Sequence, residues 1–221
     1  MTRVISALAL AGSVAALAAV FTVPSIAEWG MYRRDAVLGG EIWRVVTAMW
    51  VHLTWTHWAA NSMAAAGLIL LGVAASVPLR QLALALLLCG LAVTAALLRV
   101  PEVAWYAGLS GALHGVALWL GVTLATRAGP ALSAGDAASP EAVAAASIAA
   151  QRLRLLGVTL CAGVLIKLWL EQSWLSPVAY DATWGFGVVR VAHGLGAFSG
   201  ALWWCFGQWR MRRRQAATAA R

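Results

Sequence analysis

The chain has 221 residues, 62% of them apolar and 11% charged, with a formal net charge of +8. A soluble globular domain is about half apolar and about a quarter charged, and a disordered chain is poor in apolar residues, so both classes are excluded. The three cysteines, Cys89, Cys161 and Cys205, are odd in number and sit within apolar runs. They read as small hydrophobes and exclude a disulfide scaffold. The expected fold class is an all-α polytopic membrane protein, because lipid offers no partner to a bare backbone group.

Six apolar runs follow along the chain, at about 4–23, 58–77, 82–98, 110–127, 153–170 and 188–206. Each is near the roughly 20 residues that a helical span requires, which predicts a six-transmembrane-helix bundle in one domain. Two readings fit the first run. Arg3 and the small residues before Phe21 suit a cleaved signal peptide, while the length of the run suits a retained span. The loop at about 27–57 carries Trp29, Trp43, Trp50 and Trp55 among charged residues, as expected of a segment lying in the membrane interface. The stretch at about 127–151 is rich in Ala, Ser, Gly and Pro and reads as a flexible cytoplasmic linker. Residues 208–221 form a basic tail.

Charge sets the orientation. With six spans, one side holds ten basic residues, Arg210, Arg212, Arg213 and Arg214 among them, against Asp136 and Glu141. The other side holds six basic and six acidic residues. The positive-inside rule assigns the basic side to the cytoplasm, so both termini are expected there in a bacterial-type plasma membrane. The Arg cluster is expected to meet anionic lipid, with no nucleic-acid partner.

All four histidines, His52, His57, His114 and His193, fall toward the outer side. An ionisable group at membrane depth is costly and marks function by default. Gly108-Leu109-Ser110-Gly111 sets a serine at a helix start between glycines that permit a tight turn. Ser110, His114, Ala117 and Gly121 share one helical stripe. In the last run His193, Gly196 and Gly200 share another, and Gly196 to Gly200 is a GxxxG pair that lets helices approach closely. If the two stripes pack together, His193 faces Ser110 and acts as its base. His57 and Asn61 lie on one face of the second run and offer donors for an oxyanion, as does the Ser110 N–H.

No Asp or Glu falls inside a run, so the expected constellation is a Ser-His dyad, with His114 one turn below the serine as a guessed aid to His193. Lys167 and Glu171 read as a local i,i+4 pair. Trp184-Gly185-Phe186-Gly187 fits either a mobile cap or simple interfacial anchoring. Two other classes stay open. One is a non-catalytic membrane protein that holds clients. The other is a His-rich metal or haem protein, although no Cys or carboxylate stands at ligand spacing near His52 and His57.

In order and spacing, three blocks resemble the rhomboid family of intramembrane serine proteases. They are Trp43-Arg44 with His52-x4-His57-x3-Asn61, the GxSG of residues 108–111, and Ala192-His193-x2-Gly196-x3-Gly200. The resemblance implies that Ser110 is the nucleophile and His193 the base. It implies an oxyanion hole of His57, Asn61 and the Ser110 N–H, supported by His52. It also implies a first loop held in shape by Glu41 and Arg44, and an active site opening to the outer, periplasmic side. No metal or other cofactor is implied. Many rhomboids carry Tyr one turn after the serine; here it is His114. With Gly115 that residue is similar to the rhombosortase subfamily. This further resemblance implies membrane-anchored substrates, namely exported proteins whose C-terminal tail holds a Gly-Gly element.

Overall fold

The computed structural model describes residues 2–127 and 139–219. It is a helical bundle. In chain order α1 is Thr2–Val20, α2 Pro24–Gly30, β1 Tyr32–Arg33, α3 Arg34–Leu38 and α4 Arg44–Thr47, followed by one 3-10 turn, Ala48–Trp50. Then come α5 Trp55–Ala74, α6 Leu79–Leu97, β2 Trp105–Tyr106, α7 Ser110–Ala125, α8 Pro140–Glu171, β3 Ala179–Asp181, β4 Phe186–Val188 and α9 Arg190–Ala219.

Local signals account for the helix ends. Thr54 caps α5, its hydroxyl accepting from the His57 N–H at 3.1 Å. Ser139 caps α8 through the Ala142 N–H at 3.3 Å, and Pro140 follows at the first helical position. At the other end α8 stops where Gln172 turns left-handed, φ 48°.

Helix α7 is the central element. Most of its residues are buried, among them Ala112, Leu113, Val116, Trp119, Leu120 and Leu124, the mark of a helix largely surrounded by others. It packs most extensively on α9, then on α8 and α6, and less on α5. The outer helices are the reverse of a soluble protein. Leu155, Leu165, Ile166, Trp169 and Leu170 on α8, and Phe198, Leu202 and Phe206 on α9, point outward and are exposed. Such an apolar exterior fits lipid.

Among the described residues four helices, α1, α5, α6 and α8, are long and apolar enough to cross a membrane. The expectation of six spans is not met by that measure. The 16 residues of α7 fall short, and the outer half of α9 carries Arg190, His193 and several glycines and tryptophans. The linker expected at about 127–151 also needs correction. Residues 128–138 lie outside the described residues, but 140–151 belong to α8. Half of that segment is alanine, the best helix former, and it is capped. The basic tail continues α9 as far as Ala219.

Two small ladders lie at the end of the bundle where α7 begins. Strand β1 pairs antiparallel with β2, Tyr32 opposite Tyr106 and Arg33 opposite Trp105, which ties the first loop to the segment leading into α7. Strands β3 and β4 form a hairpin, Ala179 opposite Val188.

Candidate active site

Ser110 is the first residue of α7, so its N–H has no partner within the helix. The turn before it is pinned. The Gly108 N–H donates to the Ala48 carbonyl at 3.0 Å, and the Tyr106 hydroxyl donates to the Gly108 carbonyl at 2.7 Å. Gly108 has φ +115°, and a Cβ there would lie 2.7 Å from His57 Nε2. Only glycine meets both conditions. Tyr106 is buried, and burial raises its phenol pKa, so it remains a hydroxyl donor.

His193 lies near the start of α9 and is 4% exposed. Its Nε2 is 3.1 Å from Ser110 Oγ, and its Nδ1 is 2.7 Å from Glu171 Oε2. The other Glu171 oxygen is 2.6 Å from Lys167 Nζ. The His114 ring stacks on His193 with centroids 4.2 Å apart and planes within 16°, while His114 Nδ1–H donates to the Ser110 carbonyl at 2.7 Å.

The expected dyad without an acid is therefore corrected: a carboxylate stands on the far nitrogen of the imidazole. Glu171 ends α8 rather than lying within the apolar run, which is why a search inside the runs missed it. The Lys167–Glu171 spacing was the available signal, because a carboxylate facing a bundle needs partners.

Of the two small-residue stripes, that of α9 packs against α7 as expected, while that of α7 is corrected. A Cβ on Gly196 would overlap the Gly111 carbonyl oxygen, and one on Gly200 would overlap that of Gly115. The α7 surface facing α9 is thus Gly111 and Gly115. Gly121 faces α8 instead, where an added Cβ would meet Gly157 and Cys161. The backbone contact of α7 with α9 is what brings Ser110 and His193 within reach.

On the opposite side of Ser110, His57 and Asn61 come from one face of α5. Asn61 Nδ2–H donates to His52 Nε2 at 3.0 Å, and His52 Nδ1–H donates to the Trp50 carbonyl at 2.9 Å. These bonds set the His52 tautomer. Burial lowers its pKa to about 4, only slightly opposed by the bond to Trp50, so the ring is neutral. His57 Nδ1 is buried without a partner, leaving Nε2, on the Gly108 side, as the nitrogen to carry the proton. Asn61 keeps its second amide hydrogen.

The first loop is held by Arg44, 8% exposed. It donates to Glu41 Oε2 at 2.6 Å and to the carbonyls of Glu28 and Met31, each at 2.7 Å. Trp43 stacks on Trp29 and donates to its carbonyl at 3.3 Å.

Ser110, His193, His57, Asn61, His114 and Glu171 line one cavity of about 390 Å³. Trp105, Trp184 and Phe186 wall it, the last two with ring centroids 5.9 and 5.2 Å from His57. Trp184 and Phe186 of the β3–β4 hairpin thus border the cavity. Among the described residues no group of three His, Cys, Asp or Glu could hold a metal ion. The arrangement can move a proton from a serine hydroxyl to an imidazole beside several N–H donors. No family model matches the chain, and no curated protein matches it.

Proposed function

We propose that this protein is an intramembrane serine endopeptidase of rhomboid type, with Ser110 as nucleophile and His193 as general base. One observation carries the reading: Ser110 Oγ and His193 Nε2 lie 3.1 Å apart in a cavity that also holds His57 and Asn61. In the first step the Ser110 proton passes to His193 Nε2 as Oγ attacks a peptide carbonyl. The oxyanion is met by the Ser110 N–H, His57 Nε2–H and Asn61 Nδ2–H. His193 returns the proton to the leaving amine, and a second nucleophile releases the acyl-enzyme.

On this reading six helices cross a bacterial-type plasma membrane. The 16 residues of α7 suffice because other helices enclose it. Both termini lie on the basic, cytoplasmic side and the cavity opens outward. An apolar groove of about 420 Å³, between α5 and α8 and floored by α7, shares His114 and Lys167 with the cavity. It offers a membrane-anchored segment a route to Ser110. The preferred substrate is an exported protein with a Gly-Gly C-terminal tail, since glycines let an extended peptide bond reach a recessed serine.

The test is mass spectrometry of the C-terminus of a tail-bearing substrate made with the wild type or with Ser110→Ala. A new C-terminus near the glycines with the wild type alone is expected. Identical termini would overturn the reading and favour a client-binding role.

A further inference from the structure

We propose that Glu171 is a positioning residue for this reaction: its carboxylate holds the His193 imidazole with Nδ1 protonated and Nε2 free to take the Ser110 proton. The inference rests on the serine-peptidase reading and adds a third member to the dyad that the rhomboid resemblance implies.

The geometry is a relay. Glu171 Oε2, His193 and Ser110 Oγ follow one another at 2.7 and 3.1 Å. The side chains of His193 and Glu171 are only 6% and 14% exposed, so the contact is sheltered from water. A neutral imidazole has one ring proton, and a carboxylate on Nδ1 keeps it there, which turns the lone pair of Nε2 toward the serine. When Nε2 gains the proton, the imidazolium forms beside a negative charge. Glu171 stays ionised throughout.

The carboxylate is itself fixed. Lys167 Nζ meets its other oxygen at 2.6 Å, and Arg190 donates to the Glu171 backbone carbonyl at 3.1 Å. His114 closes one face of the imidazole. The titratable groups around His193 are Glu171 and Lys167 from α8, His114 from α7, His57 from α5, Tyr106 from β2, Asp181 from β3 and Arg190 from its own helix.

The experiment measures labelling of the full chain in detergent by a fluorescent fluorophosphonate as a function of pH. In the labelling step Ser110 Oγ bonds to phosphorus, fluoride leaves and the serine proton passes to His193. Ser110→Ala and His193→Ala are expected to abolish labelling. Glu171→Gln is expected to slow it at least about 100-fold, where a triad acid in a soluble protease is worth about 10⁴-fold. The midpoint of its pH–rate profile moves to lower pH, because an amide no longer favours the protonated ring. A merely structural role would not move that midpoint.

If Glu171→Gln labels at the wild-type rate with an unmoved midpoint while the two controls are dead, the inference falls and the peptidase reading stands. A wild type that does not label overturns both. Should Glu171→Gln fail to fold, the proton spectrum of the wild type decides. A low-field Nδ1 proton that vanishes in His193→Ala is expected, and its absence from the wild type overturns the inference.

Discussion

The two faces of α7 are built on opposite plans. Toward α9 the helices touch backbone to backbone, Gly111 on Gly196 and Gly115 on Gly200, with no room for a methyl group. Between α5 and the stretch of α8 from Leu160 to Lys167 lies an open groove, where an added Cβ on Gly67 or Gly163 would meet nothing within 4 Å, although farther along α8 Gly157 again meets Gly121 closely. The tight face carries Ser110 and His193, and the proposed proton transfer between them would tolerate little displacement. The loose face is where a long peptide segment has space to enter. The same residue type therefore has two meanings. In the seam glycine sets a distance, and along the groove it leaves a gap.

That contrast can be broken outright at the seam. Gly196→Ala drives a methyl group into the Gly111 carbonyl. Overpacking of this kind costs about 1–3 kcal/mol or more, and parting the helices withdraws His193 from Ser110. Loss of nearly all processing and a lower melting temperature in detergent are expected. A Gly196→Ala protein of normal activity would show that the seam does not set the catalytic distance.

On the α5 side of Ser110, Asn61→Ala removes a proposed oxyanion donor and the partner of His52 Nε2. A fall in turnover of about 10²–10³-fold is expected, the range for one such donor, with Ser110 still labelled by a fluorophosphonate.

His52 yields a pH dependence. Its folded pKa of about 4 lies below the 6.5 of a free imidazole. The unfolded chain takes up a proton that the folded chain refuses, so stability is full above about pH 6.5 and falls as pH drops toward 4. The loss approaches about 3 kcal/mol, since one pKa unit is about 1.4 kcal/mol. Denaturant titrations of the wild type and His52→Gln should show the shallower fall in the variant. Parallel curves would place the burial effect elsewhere.

The smallest change sharpens the comparison. Gly163→Ala adds a methyl group in open space on α8, and alanine is favoured over glycine in a helix by up to about 1 kcal/mol. A slight gain in thermal stability is expected, opposite in sign to Gly196→Ala.

The apolar runs and the residues Ser110, His193, His57 and Asn61 were legible in the sequence. Each depends on local chemistry: a stretch long enough for lipid, a serine between glycines, an i,i+4 pair. The run at 110–127 is close to α7, Ser110–Ala125, because the glycine turn and the N-terminal serine are local signals. The helical start of α8 was hidden by the same alanines that suggested a linker, since composition alone does not separate a flexible chain from a helix.

Tertiary structure alone decided which faces meet. Helical spacing groups Ser110 with His114, Ala117 and Gly121, yet the α7 surface against α9 is Gly111 and Gly115, because helix rotation is set by every neighbour together. The same rotation carries Glu171, 22 residues before His193 in the chain, to 2.7 Å from its ring. A periodic pattern specifies the residues that share a side of one helix. The partner across the gap is chosen by the packing of the whole bundle.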